Sequence, residues 1–513
     1  MVDFTREEVE TALEEYASTL AEEEEDEFID DDEQLTEPEA EETDDDEQLT
    51  EPEAEETRVE EDEDSPEIIE PEEKLEKESD PAEIFEGKDL SSLDLSEINF
   101  LGISLKGTNL NKTNLSNSIL SDSNMDQTNL GEANLINAEM ENVSCLEANV
   151  TNANFESSNL QGAKFLGSNL SGSNLNGANL RKSIFLEANL SKCNLNEADL
   201  SSSDFSRADM NHASIVESNL SRARFNGANM ESVDFTDSRL SMSVFFEANF
   251  KNANMNRAIV KGAKLAGGIF EKTSLPRADI TGADLTDAKF LNSNLSRAKL
   301  NGAILRRADL KGSDLSEADL SIADLTGASL AKVKLIGANM ERIKLNQAKI
   351  SGAKLCGAKM NKGKFFQVDL TQADLSGANM TGADLTESNL EGSDLSRANL
   401  TEAVLQKANL KATFLIGANL QKTDLTEVNL ENANIAGAKM RNANCSKANM
   451  KNVDLQRSDL EHADFTLTDL TGSNLTGSKL GETCFKNANL TGANLSLADT
   501  TDTDFSGTKG YKP

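Results

Sequence analysis

A chain of 513 residues with a net charge of −42 is too acidic for charge-driven binding to nucleic acid or an anionic membrane. The charge is uneven: residues 1–80 hold 40 acidic against four basic side chains, and the rest holds 51 against 45. No apolar run reaches the roughly 18 residues of a membrane span, and the acidic start is no signal peptide. A cytoplasmic protein with neither a membrane partner nor a nucleic-acid partner is expected.

Residues 1–20 predict a short amphipathic helix. Thr5 and Glu8 fit a capping box, and Val9, Leu13, Tyr16, Ala17 and Leu20 share one face. That face suits docking to a partner, or resting on the body of the protein. Residues 21–80 are acidic, proline-bearing and nearly free of aromatics, so they predict a disordered tail. Within them residues 30–43 recur letter for letter as 44–57. Such a duplication suits a segment whose length and charge matter more than its shape, a solubilising or regulatory tail. Residues 81–89 predict an N-terminal cap. Asp80 and Pro81 open a helical turn, Ile84 and Phe85 cover the first coil of the body, and Gly87 ends the turn.

From residue 90 to residue 505 every fifth position is apolar, without insertion or deletion. There are 84 such positions, and only Thr500 departs. The residue two before is usually small, and the residue just before is usually Asn or Asp, giving Ala-Asn/Asp-Leu-x-x. A period of five fits neither a helix nor a plain strand. It fits a chain that runs briefly extended, turns a corner and repeats, with Gly at the turn supplying positive φ. Phe165, Phe185, Phe205, Phe225 and Phe245 are spaced by twenty, as are Phe250, Phe270 and Phe290. Twenty residues are four units, so the coil has four sides and the rod about 21 coils, about 100 Å at the usual strand spacing. Pro276 falls at a corner where proline is tolerated, and Gly268 and Gly363 replace the small inward residue, as harmless variation or as local bends. Residues 506–513 form a C-terminal tail, and polar Thr500, Asp502 and Asp504 discourage pairing at that end.

Runs such as Ala178-Asn179-Leu180, Ala188-Asn189-Leu190 and Ala198-Asp199-Leu200 resemble the pentapeptide-repeat family, and the likeness covers about four fifths of the chain. The resemblance implies an all-β fold, a right-handed quadrilateral β-helix, and a non-enzymatic role. It also implies a homodimer through the C-terminal end, although the helix that relatives commonly use there is not found. Some family members mimic DNA and bind type II topoisomerases, which is the alternative function.

No chemistry-bearing motif stands out. Asp and Asn recur because the repeat wants them, and His212 and His462 lie far apart on corners. No catalytic residue, metal or cofactor is expected. Of five cysteines, Cys145 and Cys445 replace inward Leu and read as core residues.

Two surface features depart from the repeat. Apolar Leu146, Leu166, Leu186, Phe246 and Phe366 share one outward phase, and Ile184, Val244, Ile304 and Val404 share the neighbouring one. They predict a contact side. Lys344, Lys349, Lys354, Lys359 and Lys364 replace Asn or Asp in five consecutive units, and with Arg342 and Lys362 form a basic belt. The leading expectation is a structural rod offering flat β faces to a protein partner. A weak, salt-sensitive contact between the acidic tail and the belt is expected within the chain.

Overall fold

The computed structural model describes residues 2–27 and 81–511. The unit around Leu130 shows why the sequence repeats as it does. The Leu130 amide donates to the Asn149 carbonyl at 2.7 Å, and the Glu132 amide to the Thr151 carbonyl at 2.8 Å, both one coil on. The Asn129 amide donates one coil back, to the Thr108 carbonyl at 3.0 Å, and the Ala133 amide closes the turn onto the Leu130 carbonyl at 3.0 Å. The fifth amide, that of Gly131, donates to Oδ1 of Asn129 at 3.3 Å. All five amides are therefore used, which buried backbone demands. Asn or Asp precedes Leu because a short side-chain acceptor there catches the one amide that no coil reaches. Pro276 occupies that same position after Leu275, where losing the amide breaks no bond between coils.

The residue two after each inward one has positive φ, as at Glu132 (56°), Arg207 (58°), Lys362 (56°) and Gly162 (70°). With the closing bond this is the second central position of a type II turn. Glycine is thus one occupant among many, and Lys, Arg, Glu and Asn adopt the same angle. The left-handed conformation costs a non-glycine residue about 1–2 kcal/mol. The amide of each such residue donates to the next coil, which helps to hold it there.

From Asp89 to Asn489 every residue just before an inward one bridges in parallel to the residue twenty further on, as in Asn109 to Asn129 to Asn149. The four-sided coil of twenty residues is a direct consequence. The bridges are isolated and do not merge into strands, because turns take up most of each five-residue unit.

Leu, Phe and Ala fill the interior, and from Leu90 to Leu490 the inward residues are at most 1% exposed. Phe165, Phe185, Phe205, Phe225 and Phe245 stack with centroids 4.7–5.1 Å apart and planes within 10°. Phe250, Phe270 and Phe290 form a second stack at 4.6 and 4.4 Å. The bonding between coils runs on through Gly268 and Gly363. They make room for a ring: a Cβ at Gly268 would lie 2.8 Å from Phe270, and one at Gly363 2.5 Å from Phe365.

The ends differ from their expected bounds. Phe85 is itself an inward residue, 1% exposed and five before Leu90, and the Gly87 amide already donates to Lys106 at 2.9 Å. At the far end Lys509 still bridges to Asn489, and Tyr511 stacks on Phe505 at 4.1 Å. Helix α1 spans Arg6–Glu27, further than residue 20, because its Glu-rich end favours helix although its charge suggests disorder. Residues 28–80, which carry the expected tail and its duplication, lie outside the described residues.

Helix α1 rests on the rod. Thr5 and Glu8 form the capping box, with the Thr5 amide 2.6 Å from Glu8 Oε2. Val9 is fully buried, and Phe4 meets Phe85 edge-on at 5.5 Å. The first coil has no predecessor to use its carbonyls. The Arg6 guanidinium donates to those of Asp94 and Ser96 at 3.2 and 3.1 Å, and the Asp3 amide to that of Asp89 at 2.7 Å. The N-terminal segment thus satisfies an edge that would otherwise be open.

Candidate functional site

The interior leaves no room for a ligand within the coils, so the candidate sites are on the outer faces. Four faces are defined by the inward residues Leu105, Leu110, Leu115 and Leu120, taken in that order and repeated every twenty residues.

Leu146, Leu166 and Leu186 lie on the first face, one above another in three successive coils, with Ile184 beside Leu186. Leu166 and Ile184 are each 38% exposed, and Leu146 and Leu186 are half-buried. Val244 and Phe246 share this face but stand apart, with Asp204, Arg224 and Asn226 in the intervening coils. Phe366 lies further still. The expected contact side therefore resolves into one compact cluster and isolated members. Other exposed apolar residues lie elsewhere: Phe414 and Ile416 on the third face and Ile322 on the fourth. Phase counting on a single side passes over them.

The belt is not uniform either. All seven of its side chains are exposed. Lys349 lies on the second face and Lys354 on the third. Lys359 lies on the fourth face, and the other four gather at the corner between the fourth and first faces. Arg342 stacks over Lys362, and Lys344 bridges directly to Lys364.

Some cations elsewhere pair with acids one coil away. Arg207 lies 2.8 Å from Glu187, Arg297 2.9 Å from Glu317 and Lys334 3.3 Å from Asp314. None of the seven belt cations has an acidic partner within ion-pair distance among the described residues. Acids in these columns are held by hydrogen bonds. Burial alone would push Asp324 up, but the Thr326 hydroxyl and amide and the Arg306 guanidinium outweigh it and hold the carboxyl below the usual carboxylate range.

The thiols are mostly sequestered. Burial pushes Cys145 and Cys445 far up and Cys193 up to about 12. No group of three or more His, Cys, Asp or Glu side chains able to hold a metal occurs among the described residues. No described helix is long and apolar enough to cross a membrane.

These features define a filled, four-sided solenoid with a patterned surface. The profile described as pentapeptide repeats (8 copies) matches segments from 223–262 through 468–507, and that of the pentapeptide repeat region matches 93–170 and 158–235. The chain belongs to the pentapeptide-repeat family, whose members are right-handed quadrilateral β-helices.

Among solved structures, HetL, a pentapeptide repeat protein involved in heterocyst differentiation regulation from the cyanobacterium Nostoc sp. strain PCC 7120, is 29% identical. That match covers 44% of this chain and 88% of HetL, with a TM-score of 0.25. QnrB1, a plasmid-mediated fluoroquinolone resistance protein, is 22% identical over 31% of this chain and 86% of its own, with a TM-score of 0.21. No curated protein matches the chain.

Proposed function

We propose that the chain is a non-enzymatic rod, wound right-handed, that offers its flat faces to a protein partner in the cytoplasm. The observation that supports this reading most is the filled interior: every coil from Leu90 to Leu490 buries its inward side chain, so recognition falls to the surface. The cluster of Leu146, Leu166, Ile184 and Leu186 is the first contact we assign to it.

Residues 28–80 act in this reading as an acidic regulator or solubiliser. Their contact with the basic belt is weak and salt-sensitive. The belt starts about 60 Å from the first coil at the usual strand spacing, and α1 and Pro81–Glu83 join the acidic segment at that coil. A homodimer through the C-terminal coil is compatible with the scaffold.

Mimicry of DNA toward a type II topoisomerase fits less well, because it needs a continuous acidic surface and residues 81–513 carry 51 acids against 45 bases. Affinity capture with the full chain and with residues 81–513 as paired baits tests the reading. A protein partner retained by both baits supports a scaffold. Topoisomerase as the partner held by the rod would contradict it in favour of mimicry.

A further inference from the structure

The corner formed by Arg342, Lys344, Lys362 and Lys364 combines two departures from the repeat. The first concerns charge. Like charges directly opposite in neighbouring strands destabilise a sheet, yet Lys344 bridges to Lys364 and Arg342 stacks over Lys362. Like charges also stack at Arg257, Arg277 and Arg297, but there Arg257 and Arg297 pair with Asp237 and Glu317, and here no cation has an acidic partner among the described residues. The second concerns the backbone. In the repeat an Asn or Asp just before the inward residue accepts the amide two residues on, as Asn339 does for Glu341 at 3.4 Å. Lys at residues 344, 349, 354 and 359 removes that acceptor from four consecutive units. A stretch that gives up local bonding and sets cations side by side is where a sequence departs from structural optimum for another reason.

We propose that this corner is a docking site for an acidic peptide segment of a protein partner. The proposal rests on the reading of the rod as a protein-interaction scaffold and names the chemistry that one of its surfaces recognises. Size and surroundings select the partner. The doubly basic columns are two coils tall, about 10 Å. In the same columns the preceding coil carries Ile322 and Asp324, and the following coil Gly382 and Asp384. A nucleic-acid duplex spreads its phosphates well beyond that height and would meet half-buried Asp384 on one side, while on the other Asp324 is buried and paired with Arg306. An extended peptide laid across the corner is about one strand wide and fits between them. Two apolar groups border the cations: Ile322, 53% exposed directly above Arg342, and half-buried Phe366, two residues after Lys364. They suit the apolar side chains of a peptide and have no counterpart in a phosphate backbone.

The test uses the full chain and a fluorescein-labelled Glu-rich peptide with one central Phe, read by fluorescence anisotropy at low salt. Duplex DNA of equal net charge and the same peptide with Gln for Glu are compared with it. The corner variant combines Arg342→Gln, Lys344→Asn, Lys362→Asn and Lys364→Asn. Asn just before an inward residue restores the repeat's own amide acceptor, and Asn tolerates positive φ, so this variant folds. A charge-matched control changes exposed cations elsewhere: Lys272→Asn, Lys332→Asn, Lys407→Asn and Arg457→Gln.

The corner variant is expected to lose about tenfold or more in affinity for the peptide, and the control much less. The Gln peptide and the duplex should bind more weakly than the Glu peptide. Equal loss in the control, tighter binding of the duplex, or no peptide binding by the full chain would overturn the proposal. Retention of a partner through the Leu146 cluster alongside any of those results would leave the scaffold reading standing.

Discussion

Asn129 carries much of the repeat's logic on one side chain. Its Oδ1 accepts the Gly131 amide at 3.3 Å and the Asn149 side-chain amide at 2.8 Å, while its own Nδ2 donates to Asn109 at 2.9 Å. The preference for Asn or Asp is plain in the sequence, but its cause is not, because the second acceptor role joins residues twenty apart. Asn449 shows the rule failing. Its Oδ1 is the one buried side-chain polar atom without a partner among the described residues. The next residue in its column is Asp469, whose carboxylate has no hydrogen to give. Asp469 instead pairs with Lys451 at 3.4 Å and accepts from the Thr471 hydroxyl and amide, so the column exchanges one amide contact for charge-assisted ones. Phe205, stacked 4.7 Å from Phe185 and 5.1 Å from Phe225, tests the interior. Phe205→Asp buries an unpaired charge and should cost several kcal/mol locally, about 3–5 or more. Unchanged circular dichroism and protease resistance would show that the ring does not lie inside.

At the scale of elements, the coil was readable and its caps were only half so. The period of five and the aromatic period of twenty give sides and coils without any contact information. Whether α1 docks to a partner or rests on the rod stayed open in the sequence, because Arg6 and Asp94 meet across most of a hundred residues of chain and nothing local marks the pairing. For the same reason the belt looked continuous in sequence, whereas folding gathers Arg342, Lys344, Lys362 and Lys364 at one corner and spreads Lys349, Lys354 and Lys359 over the other three faces. Val9→Asp should free α1 from the first coil, since Val9 is fully buried there. Limited trypsin digestion is then expected to cleave after Arg6 much faster while the rod stays resistant, and an unchanged rate would refute the docking. The column carboxylates set the acid limit of the rod. Asp314, Asp324, Asp424 and Asp469 all sit below their ordinary range: burial opposes this, and hydrogen bonds from the residue two further on outweigh it. A folded-state value below the unfolded one stabilises above the unfolded pKa and is lost as pH falls through the folded one. The melting temperature should therefore hold steady from neutral pH to about 4 and fall below it. A decline beginning near pH 6 would point to groups other than these.

For the whole molecule, stability is a sum of neighbouring coils, and no single core limits its length. That leaves the outer faces free to vary, and they vary in a few places only: an apolar cluster near one end, a basic corner about 60 Å from the first coil at the usual strand spacing, and a first coil closed by α1. The central claim is that partners are held by the surface of a filled rod. The most direct measurement is partner retention by the combined variant Leu146→Ser, Leu166→Ser and Leu186→Ser, with its melting temperature as the control for folding. These side chains point outward, so the melting temperature should shift little, in keeping with surface changes of about 0.5 kcal/mol each. Retention of the partner should fall sharply against the unaltered chain. Full retention at an unchanged melting temperature would contradict the claim for this face, and a collapse of the melting temperature would show that the three residues belong to the interior.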